Sequence, residues 1–314
     1  MTRSLLHLDD DAPRSLRSTS HTRYSLDQLR QAKGTTSISV CLPARDEAAT
    51  VGPIVEQLRR RLQVEVPLLD EIVVVDDHST DGTAQVAASA GAKVVDAASV
   101  LPEHGEGHGK GEVLWKSLHV SEGDLVIWCD ADILDFDIRF VTGLLGPLLC
   151  DAGVSFAKGY YHRPEADGEG GGRVTELVAR PLLSMFFPHL AAVRQPLAGE
   201  YGGRREVLER LPFVQGYGVD VGLLIDVAEE VGTSAMVEVD LEVRHHRNRP
   251  LAELSPQATA VAATILHKAR ADLVSATPSL VVPGLEGGPP RSTTIDVRER
   301  PPLAQLASGL TRTA

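Results

Sequence analysis

Residues 124–137, DLVIWCDADILDFD, constrain this chain more than any other stretch. Leu125 to Cys129 is an unbroken apolar run, of the length a strand has when both of its faces are covered. Strands of that kind belong to largely parallel sheets with helices on either side. The run stops at Asp130-Ala131-Asp132, two carboxylates one residue apart. Open α/β sheets bind their ligands at the carboxyl ends of strands. Carboxylate oxygens suit hard cations such as Mg²⁺ or Mn²⁺, which in turn neutralise phosphate. The pattern points to a metal–diphosphate site, although a solvated acidic turn would give the same letters.

Strand and helix signals alternate around this centre. Residues 38–42, 71–75 and 93–95 read as strands. Val51, Ile54, Val55, Leu58 and Leu62 recur at helical spacing after the first, and an alanine-rich helix after the second ends at Gly91, a C-cap. That order predicts a doubly wound sheet. Residues 154–161 read as a further strand. A helix over 176–187, bent at Pro181, is expected to be capped by Gly172 or Thr175. Residues 195–203 read as a glycine-dense loop, 204–211 and 219–231 as helices with a loop over 213–217, and 236–243 as a half-exposed strand. Ser255 and Pro256 supply an N-cap and N1 for a helix over 255–273.

Charge and composition exclude several functions. Asp and Glu number 43 against 31 Lys and Arg, a net charge of −12, which argues against non-specific nucleic-acid binding. The three cysteines, Cys41, Cys129 and Cys150, lack metal-ligand spacing and read as reduced, buried thiols of a cytoplasmic protein. No apolar run approaches a membrane span, and the acidic N-terminal region lacks a signal-peptide core; no membrane association is expected. Gly109-Lys110-Gly111 fails the P-loop pattern, since no Ser or Thr follows the lysine, yet a glycine-rich loop bearing one lysine can approach a phosphate closely. No G-x-G-x-x-G follows the first strand, which excludes a dehydrogenase. Arg173, beside the start of a helix, marks a candidate anion pocket.

Three motifs in series, P-A-x-x-E at 43–47, V-V-D-D-x-S-x-D-G at 74–82 and the strand ending in D-x-D, resemble the GT-A nucleotide-sugar glycosyltransferases. GGRVTEL at 171–177, PLAGEY at 196–201, GYGVDVGLLID at 216–226 and VRHHRNRP at 243–250 narrow the resemblance to the glucosyl-3-phosphoglycerate synthase family, over about residues 22–275. The resemblance implies an α/β GT-A fold. It implies that 22–150 form a nucleotide-sugar-binding half and 151–275 an acceptor-binding half with a C-terminal helix. Residues 1–21 are expected to be a disordered arm and 276–314 a disordered tail.

The activity implied is transfer of glucose from UDP-glucose to 3-phosphoglycerate with retention, by a homodimer using Mg²⁺ or Mn²⁺. By the same resemblance, Pro43, Ala44, Glu47, Ser79, Lys110, Asp130 and Ala131 would bind the donor, and Asp132 and His246 the metal. Gly172, Arg173, Val174, Thr175 and Asn248 would bind phosphoglycerate. Leu197, Glu200, Tyr217 and Asp220 would surround the transferred glucose.

Arg173, Arg244, Arg247 and Arg249 are candidate cations for the acceptor's oxyanions, which arginine recognises in bidentate fashion. Asp220 and Glu200 are the candidate nucleophiles if retention uses a covalent intermediate; attack by the acceptor on the face that UDP leaves is preferred, with Asp220 positioning the glucose. Two features depart from the family: Asp220 stands where its members carry glutamate, and His245 adjoins His246. The competing readings are a GT-A enzyme with GDP-glucose or GDP-mannose as donor, one acting on a polyprenyl phosphate, and a non-catalytic UDP-sugar-binding protein.

Overall fold

The computed structural model describes residues 16–105, 107–162, 164–165, 168–169, 172–244, 251–269, 279–282 and 291–306. In chain order the first elements are β1 (Arg17–Ser20), α1 (Leu26–Lys33), β2 (Ile38–Ala44), α2 (Val51–Leu58), β3 (Glu71–Asp76), α3 (Thr83–Ala90) and β4 (Lys93–Asp96). Then follow α4 (Lys110–Val120), β5 (Leu125–Trp128), α5 (Arg139–Cys150), β6 (Phe156–His162) and the two-residue strands β7 (Pro164–Glu165) and β8 (Gly168–Glu169). A helical stretch opens at residue 173, passes through the π-turn Thr175–Ala179 and continues as α6 (Arg180–Phe186). The remainder comprises β9 (Tyr201–Arg204), α7 (Arg205–Leu208), β10 (Phe213–Val214), α8 (Val219–Val231), β11 (Met236–Val243), α9 (Leu251–Ala269), β12 (Ser279–Val282), β13 (Arg291–Thr294), β14 (Glu299–Arg300) and α10 (Leu303–Leu306).

Eight strands form one sheet in the order β1-β11-β6-β9-β5-β2-β3-β4. All neighbours are parallel except β9, which runs antiparallel to both β5 and β6. The continuous apolar run at β5 is explained by two-sided burial: Val126 and Trp128 pack into one core, Leu125 and Ile127 into the other. The first core contains Trp115 of α4 and Leu223, Leu224 and Val227 of α8; the second contains Leu29, Ile54, Leu58, Leu144 and Leu145 from α1, α2 and α5. Strand order reverses between β2 and β5, since β3 and β4 lie outward of β2 while β5 returns to its other side. The carboxyl ends at such a switch point leave a crevice. Asp130 and Asp132 lie just beyond that end of β5.

Several expectations are corrected. The N-terminal arm is folded from Leu16 onward, with β1 paired to β11; its sequence Arg-Ser-Thr-Ser has the polarity of an edge strand rather than a core one. The loop predicted over 195–203 ends in β9, whose glycines leave no side-chain pattern to read. A Cβ on Gly202 would clash with Ile127 and the Val126 carbonyl, so the strand needs glycine to pass between its neighbours. Helix α9 starts at Leu251, not Ser255, and Pro256 lies inside it. The loop over 213–217 contains β10, which pairs with β14. Cys41 and Cys129 are buried thiols, as expected, while Cys150 is exposed; none is bonded.

The tail, expected to be disordered, is folded over 291–306: β13 pairs with β12, Ile295 and Val297 pack with Val214 of β10 and with Ala260 and Ala263 of α9, and Arg300 and Pro301 reach α4. Arg300 reaches both Glu112 oxygens, at 2.7 and 3.1 Å. Trp115 Nε1 donates to the Pro301 carbonyl at 3.0 Å, and Lys268 of α9 joins Asp226 to Glu299. Burial of Glu112 beneath Arg300 makes this pairing consequential, because a buried carboxylate stripped of a cation is strongly penalised. Lys116 remains as a second partner at 3.0 Å, so Arg300→Ala is expected to cost about 2 kcal/mol, measured by urea denaturation. A disordered tail would make that substitution neutral.

Candidate active site

A cavity of about 530 Å³ opens at the carboxyl ends of the strands. Pro43 and Ala44 from the end of β2, Asp77 beyond β3, Asp130-Ala131-Asp132 beyond β5, Tyr161 of β6 and Arg244 beyond β11 all line it. The opposite wall comes from helix starts: Lys110 opens α4, Asp220 sits in the first turn of α8, and Gly172 to Thr175 begin the stretch leading to α6. The Gly172 carbonyl accepts the Glu176 N–H at 3.0 Å, so Gly172 is the residue at the helix boundary.

Two cations hold the acidic cluster together. The Arg244 guanidinium is buried and donates to Asp130 Oδ2 at 3.2 Å, Asp132 Oδ1 at 2.8 Å, Glu200 Oε1 at 2.7 Å and the Tyr161 hydroxyl at 2.9 Å. Lys110 Nζ lies 2.8 Å from Asp130 Oδ1 and 3.1 Å from Asp220 Oδ1. Burial works to raise the Asp130 carboxyl, but Lys110 and Arg244 together outweigh it and hold the group well below the usual carboxylate range. Glu200 is different: complete burial raises its pKa despite the attraction of Arg244.

Tyr201 of β9 supports this arrangement from behind. Its hydroxyl donates to Asp220 Oδ1 at 2.9 Å, and the ammonium groups of Lys158 and Lys110 stand 4.6 and 6.0 Å from its ring centroid. Lys158 Nζ donates to the Ala198 carbonyl at 2.8 Å and so fixes the turn that carries Leu197. A Cβ on Gly199 would clash with the Asp130 carboxylate and Lys110 Nζ; glycine allows that turn to lie directly on the ion pair.

Most expected site residues meet in this one cavity. Pro43, Ala44, Glu47, Lys110, Asp130 and Ala131 line it, together with Asp132, Leu197, Tyr217 and Asp220. Gly172, Arg173, Val174 and Thr175 line the far side. Ser79 does not line it; its hydroxyl accepts the Asp46 N–H at 2.9 Å and shapes the loop instead. Glu200 does not line it either, being fully buried behind Arg244. Arg244 is committed to carboxylates rather than available for acceptor oxyanions. His246 and Asn248, like His245, Arg247 and Arg249, lie outside the described residues. Tyr161, Lys158 and the bridging role of Tyr201 were not anticipated; the one signal for Lys158 was a lone charge inside an otherwise apolar strand.

The residues present fit a divalent cation. Among the described residues, four carboxylates of this cluster contact two cations, and Asp132, half exposed, lies on the cavity side. An oxygen-rich, partly solvated position of that kind matches Mg²⁺ or Mn²⁺.

The sequence profile described as Glycosyl transferase family 2 matches residues 39–176. Glucosyl-3-phosphoglycerate synthase of Mycolicibacterium smegmatis is 44% identical over 290 residues, covering 90% of this chain and 94% of the relative. The chain belongs to the glucosyl-3-phosphoglycerate synthase family. A second relative of that description, from Petrotoga mobilis, is 44% identical over 80% of each chain. The crystal structure of the Mycobacterium tuberculosis synthase with Mn²⁺, UDP-glucose and phosphoglyceric acid superposes with a TM-score of 0.84 at 39% identity, covering 93% of this chain and 99% of that one. Mannosyl-3-phosphoglycerate synthase of Rubrobacter xylanophilus gives 0.86, also at 39% identity, over 92% and 97%. The GT-A fold expected from the motifs is therefore the fold observed.

Two outcomes follow from the charge cluster. Arg244→Leu leaves three carboxylates facing one another and should cost about 3–5 kcal/mol, with Glu200→Leu in the same chain recovering part of it; no recovery would contradict the coupling. Lys158 supplies a pH test. Burial, against the pull of Asp220, lowers its pKa from the ordinary 10.5 to about 8. Between those values the unfolded chain holds more protons than the folded one. The stability Lys158 contributes therefore grows as pH rises from about 8 to 10.5 and is lost as pH falls through 8. The stability difference between wild type and Lys158→Met should move in favour of wild type across that window; a flat difference would contradict the assignment.

Proposed function

We propose that this protein is a metal-dependent, retaining glucosyltransferase that moves glucose from UDP-glucose to 3-phosphoglycerate. The observation that carries this reading is family membership over nearly the whole chain, joined to a single cavity lined by most of the residues assigned to the donor and acceptor and by Asp132. Pro43, Ala44 and Glu47 are assigned to the uridine, with Ser79 acting through the loop it shapes. Lys110 is assigned to the nucleotide and Asp130 to its ribose side. Asp132 would hold Mg²⁺ or Mn²⁺, with His246 as its partner. The ion, when bound, stabilises negative charge on the departing diphosphate as a Lewis acid.

The chain's own residues perform the rest. Gly172 to Thr175 line the cavity at a helix start, where backbone N–H groups and the helix dipole favour the acceptor's phosphate; Arg173 and Asn248 complete that pocket in our assignment. The acceptor hydroxyl attacks the anomeric carbon on the face from which UDP leaves. Glu200 is sealed behind Arg244, and Asp220 is held by Lys110 and the Tyr201 hydroxyl. Both candidate nucleophiles are thus engaged, which supports same-face attack over a covalent intermediate. Asp220, shorter than the family's glutamate and anchored at the wall, positions the glucose with Leu197 and Tyr217.

Association as a homodimer in the cytoplasm belongs to the same proposal. Among the described residues no helix is long and apolar enough to cross a membrane, and Leu177, Met185 and Phe186 expose apolar surface along the helical stretch that follows Arg173. A monomer mass by light scattering would contradict the dimer.

The deciding assay pairs UDP-glucose, GDP-glucose and GDP-mannose with 3-phosphoglycerate, glycerate and a polyprenyl phosphate, each with and without Mg²⁺. Glucosyl-3-phosphoglycerate formed only with metal is expected, and Asp132→Ala should lower kcat/KM at least about 100-fold. The resemblance to the Rubrobacter mannosyl synthase makes GDP-mannose the informative competitor. Transfer to lipid phosphate alone would overturn the acceptor assignment.

A further inference from the structure

A second group of metal-binding side chains lies beyond β3, apart from Asp130 and Asp132. Asp77, His78 and His108 each offer a ligand atom, and these atoms all lie within 4.8 Å of one another. Asp77 is buried and doubly fixed. Its Oδ2 accepts the Gly109 N–H at 3.0 Å, and its Oδ1 lies 2.8 Å from His78 Nδ1. The Gly109 bond ties the glycine-rich loop to the end of β3, and the His108 and His78 rings come within 5.0 Å, centroid to centroid. His78 holds a left-handed backbone, φ 62°, a conformation uncommon for a residue with a side chain and frequent at functional loops. Arg45 Nη1 stands 3.7 Å from Asp77 Oδ2, but its side chain is exposed and makes no hydrogen bond at that distance.

Two imidazoles and one carboxylate form a donor set for Zn²⁺, Co²⁺ or Ni²⁺ rather than for Mg²⁺, which prefers oxygen ligands. The backbone N–H on the second Asp77 oxygen is the kind of outer contact that orients a ligating carboxylate. A tetrahedral ion at about 2.0 Å from each ligand needs them about 3.3 Å apart, a closure of up to roughly 1.5 Å that the two exposed rings can supply by rotation. Asp77 and His108 also line the cavity beside Pro43, Ala44 and Glu47.

We propose that Asp77, His78 and His108 form a transition-metal site on the donor side of the cavity, distinct from the Asp132 position, and that an ion there excludes the sugar nucleotide. The site itself stands without the donor assignment; its inhibitory consequence rests on that reading. The full-length protein titrated with Co²⁺ should develop the visible d–d absorption of a tetrahedral site. His78→Asn, chosen because asparagine tolerates the left-handed backbone, should weaken that binding at least 10-fold, while Asp132→Asn should leave it intact. In the presence of Mg²⁺, Zn²⁺ should inhibit transfer competitively with UDP-glucose, and His78→Asn should keep the wild-type rate while losing the inhibition. No absorption with wild type, a band unchanged in His78→Asn, or a band lost in Asp132→Asn would each overturn the proposal. If no transfer is detected with any donor, the Co²⁺ titration still decides the site, so its failure and that of the functional reading remain separate.

Discussion

The guanidinium of Arg244 is the group on which the carboxyl end of the sheet depends. It is buried, yet meets carboxylates from two separate elements, Asp130 and Asp132 beyond β5 and Glu200 before β9. Without it, β5 and β9 would bring Asp130 and Asp132 up against the fully buried Glu200 with no guanidinium to offset the repulsion or the desolvation of Glu200. Arginine suits the position because its planar fork serves several acceptors and keeps its charge when buried. Burial opposes the charge here, but the surrounding carboxylates more than restore it. Lys110 does the same work from the opposite wall, taking the other Asp130 oxygen together with Asp220.

This division of labour explains why the site tolerates so much negative charge. Asp130 is clamped from both sides and Asp220 is held by an ammonium and a phenol, so neither is free to move. Asp132 has one hydrogen bond from Arg244 and remains half exposed. It is the carboxylate best able to exchange that contact for a cation, and it faces the same cavity as the helix start at Gly172 to Thr175. Positive helix ends on one side and an acidic rim on the other suit a metal–diphosphate and a phosphorylated acceptor held together.

Local signals were legible in the sequence, and contacts between distant segments were not. Leu125 to Cys129 announced a buried strand because a two-sided core demands apolar residues at every position, and α8 and β11 occupy the ranges read from the sequence. The half-exposed strand expected over 236–243 is instead buried along most of its length, Glu238 included, because β1 and β6 flank it and both sheet faces are covered. The Asp130-Ala131-Asp132 pattern and the motif series located the cavity. β9 stayed hidden because Gly202 and Gly203 carry no periodic information, though their neighbours require them to be small. The folded tail was illegible for another reason: Arg300 and Glu112 are 188 residues apart, and a composition rich in Pro, Gly and Ser says nothing of such a pairing. Arg244 was recognised as a cation but given the wrong partner, since its carboxylates lie 44 to 114 residues away. Ser255-Pro256 shows the converse, a strong local start signal overridden by a helix that begins one turn earlier.

The central claim is that Asp132, held in place by Arg244, is where the cation and the diphosphate meet. Anomalous X-ray diffraction from crystals soaked with Mn²⁺ and UDP-glucose tests it most directly. The account predicts a manganese peak in contact with the Asp132 carboxylate and with the diphosphate, while Arg244 keeps its bonds to Asp130 and Glu200. UDP-glucose bound with no manganese at Asp132, its carboxylate still paired to Arg244, would contradict it.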